Sequence, residues 1–171
     1  TASYEMHAFL WDSSGGMVDL GTLGGTWSRA YGINDLGQVV GKSETASYET
    51  HAFLWDSSGG MVDLGTLGGV YSEAYGINDV GQVVGLSETA SYEVHAFIWD
   101  STGGTVDLGT LGGGYSEAHA INDIGQVVGW SGTASGETHA FVWQSGPGMV
   151  DLGSLGGGWS EAYGMNDSGQ V

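Results

Sequence analysis

Four acidic residues, Asp35, Asp79, Asp123 and Asp167, each follow an asparagine: Asn34, Asn78, Asn122 and Asn166. A ring of four carboxylates and four amides would offer hard oxygen ligands suited to Ca²⁺ or another cation. The same residues also make hairpin turns. Asn and Asp tolerate left-handed conformations and bond their own backbone, and each Asn-Asp-x is closed by a Gly. No DxDxDG loop of the EF-hand kind occurs, so turn-making is the first explanation and a bound cation the second.

A second set is aromatic. Trp27, Tyr71, Tyr115 and Trp159 each follow Gly-Gly-x and precede Ser. Such faces stack on sugars, and several weak sites on one surface would gain from avidity. At a junction between neighbouring repeats the same side chains would instead wedge into the core. His7, His51, His95 and His139 recur in a His-Ala-Phe motif, with His119 standing where the other copies have Tyr. Zinc needs ligands converging at about 2 Å, which one histidine per repeat does not provide. All five are therefore read as structural, and Trp11, Trp55, Trp99 and Trp143 as core. There is no Cys and no GxSxG, HExxH or phosphate-loop motif. Near-identical copies also lack one asymmetric place where two carboxylates could take different roles. No enzyme is expected, and no cofactor beyond the candidate cation.

These residues are held by a repeat. HAF and DLG motifs recur four times at a spacing of 44 residues, giving copies 1–44, 45–88, 89–132 and 133–171 of one domain. Such a period calls for a propeller, solenoid or array. Each copy holds four strand-like runs, in the first HAFLWD (7–12), MVDLG (17–21), SRAYGIN (28–34) and QVVGKSE (38–44), with TLGGTW (22–27) read as a Gly-rich connection. No helical period is sustained. AFLW has no polar member and adjacent valines point both ways, so both faces of each sheet must be covered.

The fold expected is all-β: a four-bladed β-propeller of four-stranded antiparallel blades. Small residues suit the crowded axis, so SRAYGIN is assigned as the inner strand, QVVG as second, HAFLWD as third and MVDLG as outermost. The chain opens inside a repeat, without a signal peptide, and its last copy stops at GQV. The expectation is a last blade closed by both termini. The alternative is an open segment of a longer β-repeat array, or a half-ring that dimerises.

The charge bounds the partners. Against 20 acids stand only Arg29 and Lys42, for a formal net charge of −18. All the acids fall at six repeat positions, so the charge was copied with the unit. Nucleic acid and anionic membrane surfaces are poor partners, since both require clustered cations. No apolar run reaches the roughly 18 residues of a membrane span.

HAFLWDSSGGMVDLGTLGG followed by SEAYGINDVGQVVGLS resembles the bacterial HAF repeat, and the resemblance covers nearly the whole chain. It implies a large secreted or cell-surface bacterial protein and offers no catalytic residues. Departures are small, among them Gln144 where other copies have Asp. The reading is a non-enzymatic extracellular module for binding or scaffolding. Its partners would be a carbohydrate or surface protein on the aromatic rim, or further copies in a spacer or self-assembling filament.

Overall fold

The Asn-Asp-x-Gly segment folds as the turn its residues favour. Gly37 N–H donates to Asn34 O at 3.0 Å and Asn34 N–H to Gln38 O at 3.1 Å. Gly37 sits at φ +77°, where a side chain would be strained. The computed structural model describes residues 5–171. Thr1–Tyr4 of the first TASYE motif, and with them the first residues of copy 1–44, lie outside the described residues.

All regular structure among the described residues is strand. The strands are β1 (Phe9–Asp12), β2 (Gly16–Asp19), β3 (Gly24–Ile33), β4 (Val39–Thr45), β5 (Thr50–Asp56), β6 (Gly60–Asp63) and β7 (Gly68–Ile77). They continue as β8 (Val83–Thr89), β9 (Val94–Asp100), β10 (Gly104–Asp107), β11 (Gly112–Ile121), β12 (Val127–Thr133), β13 (Thr138–Gln144) and β14 (Gly148–Asp151). They form three antiparallel four-stranded sheets in the expected order: β3-β4-β5-β6, β7-β8-β9-β10 and β11-β12-β13-β14.

The first strand of each sheet is longer than its sequence suggests. β3 begins at Gly24, inside the segment read as a connection. Glu44 on β4 holds that segment down, accepting bonds from the N–H (2.7 Å) and hydroxyl (2.8 Å) of Thr26. The extension is irregular, with register shifts between Gly24 and Ser28 and between Ala30 and Gly32.

Consecutive sheets meet at a repeated joint. Single parallel bridges link Met6 to Trp27, Thr50 to Tyr71, Val94 to Tyr115 and Thr138 to Trp159. Buried serine hydroxyls brace it. Ser72 Oγ accepts the Ala52 N–H at 2.8 Å and donates to Gly65 O at 2.6 Å, and Ser28 and Ser116 do the same in their repeats. Apolar clusters fill the gaps. Val40, Ala52, Leu54 and Leu64 of one sheet pack with Ala74, Val83 and Phe97 of the next. Val39 and Val40 are both buried on opposite faces, which explains the absence of alternation.

The two ends depart from the expected closure. β1 and β2 pair only with each other. The SEAYGMN run and the closing GQV lie in no strand, so among the described residues no fourth four-stranded sheet is assembled. Among the described residues β1 lacks the second-strand pairing of the complete sheets. In the complete sheets the third strand hangs on the second along six residue pairs, from Val39↔Trp55 to Glu44↔Thr50.

Candidate functional site

The four Asn-Asp turns lie at one end of the inner strands and stack. Asn34 Nδ2 donates to Gln38 Oε1 (2.8 Å) within its turn and to Asn78 O (3.0 Å) in the next. Asn78 bonds Asn122 O at 3.0 Å and Asn122 bonds Asn166 O at 3.3 Å. The aspartates follow the same step: Asp35 N–H donates to Asp79 Oδ1 (2.9 Å), Asp79 N–H to Asp123 Oδ1 (3.0 Å) and Asp123 N–H to Asp167 Oδ1 (3.3 Å). A concavity of about 290 Å³ is lined by residues 33–35, 77–79, 121–123 and 165–167.

The structure thus brings all eight residues of the candidate cation ring to one surface, but gives three of the carboxylates to backbone N–H groups. Among the described residues no group of three or more His, Asp or Glu side chains is placed to hold a metal ion.

Trp27, Tyr71, Tyr115 and Trp159 occupy the inter-sheet joints. The first three are half-buried and Trp159 is exposed. Tyr115 stacks on Trp130 with ring centroids 4.8 Å apart and donates its hydroxyl to Glu117 Oε2 at 2.8 Å. Tyr71 donates its hydroxyl to Glu73 Oε1. These rings both wedge between repeats and show an edge to solvent. Trp55 is buried as expected, but Trp11 is exposed on β1.

Beside them runs a polar column that the sequence pattern did not single out. Tyr31, Tyr75, His119 and Tyr163 succeed one another at centroid separations of 5.5, 5.2 and 4.7 Å. Glu73 and Glu117 are buried within it. Burial would push the Glu117 carboxyl up, but His119 and the hydroxyls of Tyr115 and Tyr75 outweigh it and hold the group below its ordinary value. The Tyr75 and Tyr115 hydroxyls are pushed up, first by burial and then by the glutamates. His119 Nε2 lies 3.0 Å from Glu117 Oε1. The signal was present as an i, i+2 pattern of Glu and an aromatic on the inner strand, but burial of the acid could not be read from it.

The repeated histidines are structural partners of the repeated outer-strand aspartates. His51 Nδ1 lies 2.9 Å from both carboxylate oxygens of Asp63, and His7, His95 and His139 are placed alike on Asp19, Asp107 and Asp151. The Asp151 carboxyl is held below its usual value first by the His139 hydrogen bond and then by Gly153 N–H. Asp19 is lowered first by Gly21 N–H and then by His7. These outer-strand aspartates therefore fix the histidine rings.

No family model and no curated protein matches this chain.

Proposed function

We propose that the chain is a non-enzymatic repeat module that binds saccharide or a surface ligand at its inter-repeat joints. The carrying observation is the recurrence of a half-exposed aromatic, Trp27, Tyr71 or Tyr115, at the same bridge between consecutive sheets. An aromatic held rigidly at one face and open at the other is preorganised to stack on a ligand ring, and repetition supplies avidity. The HAF-repeat resemblance supports an extracellular, bacterial setting. A four-bladed propeller-like arrangement is the proposed geometry, supported by the concavity that all four turn tips line. Glycan-array screening followed by titration tests the binding reading. Trp27→Ala and Trp159→Ala should each weaken a hit, and no binding to any saccharide would overturn the reading.

A self-associating structural element is the second reading, favoured by exposed aromatic side chains, which are apt for contact with another copy. Phe9 is 56% exposed whereas Phe53, in the same place one repeat on, is 0% exposed. At the opposite end Trp159 and Tyr163 are exposed. Light scattering across a concentration series tests it, and a concentration-independent monomer mass would rule it out.

A further inference from the structure

The chain's only two cations, Arg29 and Lys42, stand directly opposite each other in the β3–β4 ladder. Like charges directly opposite on one sheet face repel. The other repeats avoid the pairing: Glu73 and Glu117 replace the arginine, and Leu86 and Trp130 replace the lysine. Both cations line one cleft of about 340 Å³, together with Met6, Trp27, Thr50 and Tyr71. Two of the rim aromatics thus flank the one cationic spot on a chain of net charge −18.

The two cations are differently engaged. The Lys42 ammonium lies 2.6 Å from Glu73 Oε1 and 3.2 Å from the Tyr71 hydroxyl, with its charge 5.6 Å from the Tyr71 ring centroid. It is largely buried and committed. Arg29 is exposed and has no acidic or hydrogen-bonding partner among the described residues. Lys42 and Glu73 neutralise each other, so among the described residues the cleft carries one uncompensated positive charge, on a planar, forked guanidinium. That fork matches a carboxylate in two parallel hydrogen bonds. A single residual charge suits a monoanion better than a doubly charged phosphate, which the surrounding acids would repel.

We infer that this cleft is a subsite for a carboxylate-bearing saccharide of the hexuronate class. Arg29 binds the carboxylate, Trp27 and Tyr71 contact the sugar ring, and Lys42 fixes the Tyr71 side of the cleft. The inference rests on the saccharide-binding reading and gives it a charge specificity at one joint only.

The test titrates the intact chain with a trimer of galacturonic acid, a neutral galactose trimer and inorganic phosphate, following tryptophan fluorescence and heat. The acidic trimer should bind at least tenfold more tightly than the neutral one and should not be displaced by millimolar phosphate. Arg29→Glu and Lys42→Leu install residues that this fold already carries in the second repeat, so folding should be kept, as circular dichroism would verify. Arg29→Glu should remove the preference for the acidic trimer and leave any neutral binding unchanged, whereas Lys42→Leu, which releases Tyr71 and Glu73, should weaken both trimers. Equal affinity for both trimers would overturn the charge assignment while leaving the aromatic-rim reading intact. Binding of neither would overturn the hexuronate assignment and leave the rim reading to the wider glycan array. Tighter binding of phosphate would overturn the hexuronate assignment. Acidic binding that survives Trp27→Ala unchanged would separate the arginine contact from the rim and refute the shared site.

Discussion

Gly85 lies in the second strand of the middle sheet, opposite Ala74, with β7 on one side and β9 on the other. A Cβ built there would sit 1.8 Å from the carbonyl oxygen of Glu73, 2.8 Å from that carbonyl carbon and 2.9 Å from Ala74 Cα. All three obstacles are backbone, so no side-chain rotation relieves them. Gly85→Ala must therefore open the β7–β8 pair from 1.8 Å to at least 3.0 Å at this point, a shift of 1.2 Å. β8 cannot drift the other way, because β9 holds it along six residue pairs. The opening weakens one or two buried ladder bonds, at about 1–3 kcal/mol each when a group is left unsatisfied. Overpacking adds about 1–3 kcal/mol. A loss of about 3–5 kcal/mol follows, roughly 6–20 °C in melting temperature for a chain of this length. Urea denaturation and thermal melts measure it, with Gly157→Ala as control, since nothing lies within 4 Å of a Cβ there. A Gly85→Ala protein melting within 2 °C (about 1 kcal/mol) of the control would refute the reasoning.

Phe97→Ala empties a site that is 1% exposed and should cost about 3–5 kcal/mol, whereas Phe9→Ala, at the exposed end face, should cost under about 1 kcal/mol; equal costs by urea denaturation would contradict the burial contrast. Tyr92 is held at φ +65° and is highly exposed, while the fourth repeat has Gly136 at that place with φ +85°. Tyr92→Gly should therefore stabilise the chain by about 1 kcal/mol by relieving left-handed strain, and a destabilised variant would show that the ring makes a needed contact. The Asp151 carboxyl is depressed mainly by His139. Its contribution to stability is complete above the unfolded carboxylate value of about 3.9 and is lost as pH falls through the lower folded value. His139→Phe should move the Asp151 titration, followed by carboxyl NMR, back toward that ordinary value. An unmoved titration would assign the depression to Gly153 N–H alone.

Periodicity and residue type made the strand order legible. Short apolar runs separated by Asn-Asp-x-Gly and Ser-Ser-Gly-Gly can only fold as hairpins, and adjacent valines require cover on both faces. The recurrence of His with an outer-strand Asp was visible, but their contact was not, because it depends on the cross-strand register. Nor was the extension of β3 into the Gly-rich segment, which a glutamate on the neighbouring strand imposes. The candidate sites divide in the same way. Aromatics at the joints and acids at the turn tips could be named from spacing alone. That Asp79, Asp123 and Asp167 receive backbone N–H groups from the preceding repeat is a matter of stacking, and only the tertiary structure decides it. The same holds for Arg29 and Lys42. In the sequence they are two isolated cations 13 positions apart. The β3–β4 register sets them face to face, and the next repeat's Glu73 then compensates one and leaves the other without a partner among the described residues. The sequence by itself determined the repeat, its turns and its four-strand unit, because these follow from local conformational preference and apolar periodicity. Only the tertiary structure decided which acids are spent on the backbone, which charge is left over and how the ends stand, because each depends on a neighbour distant along the chain.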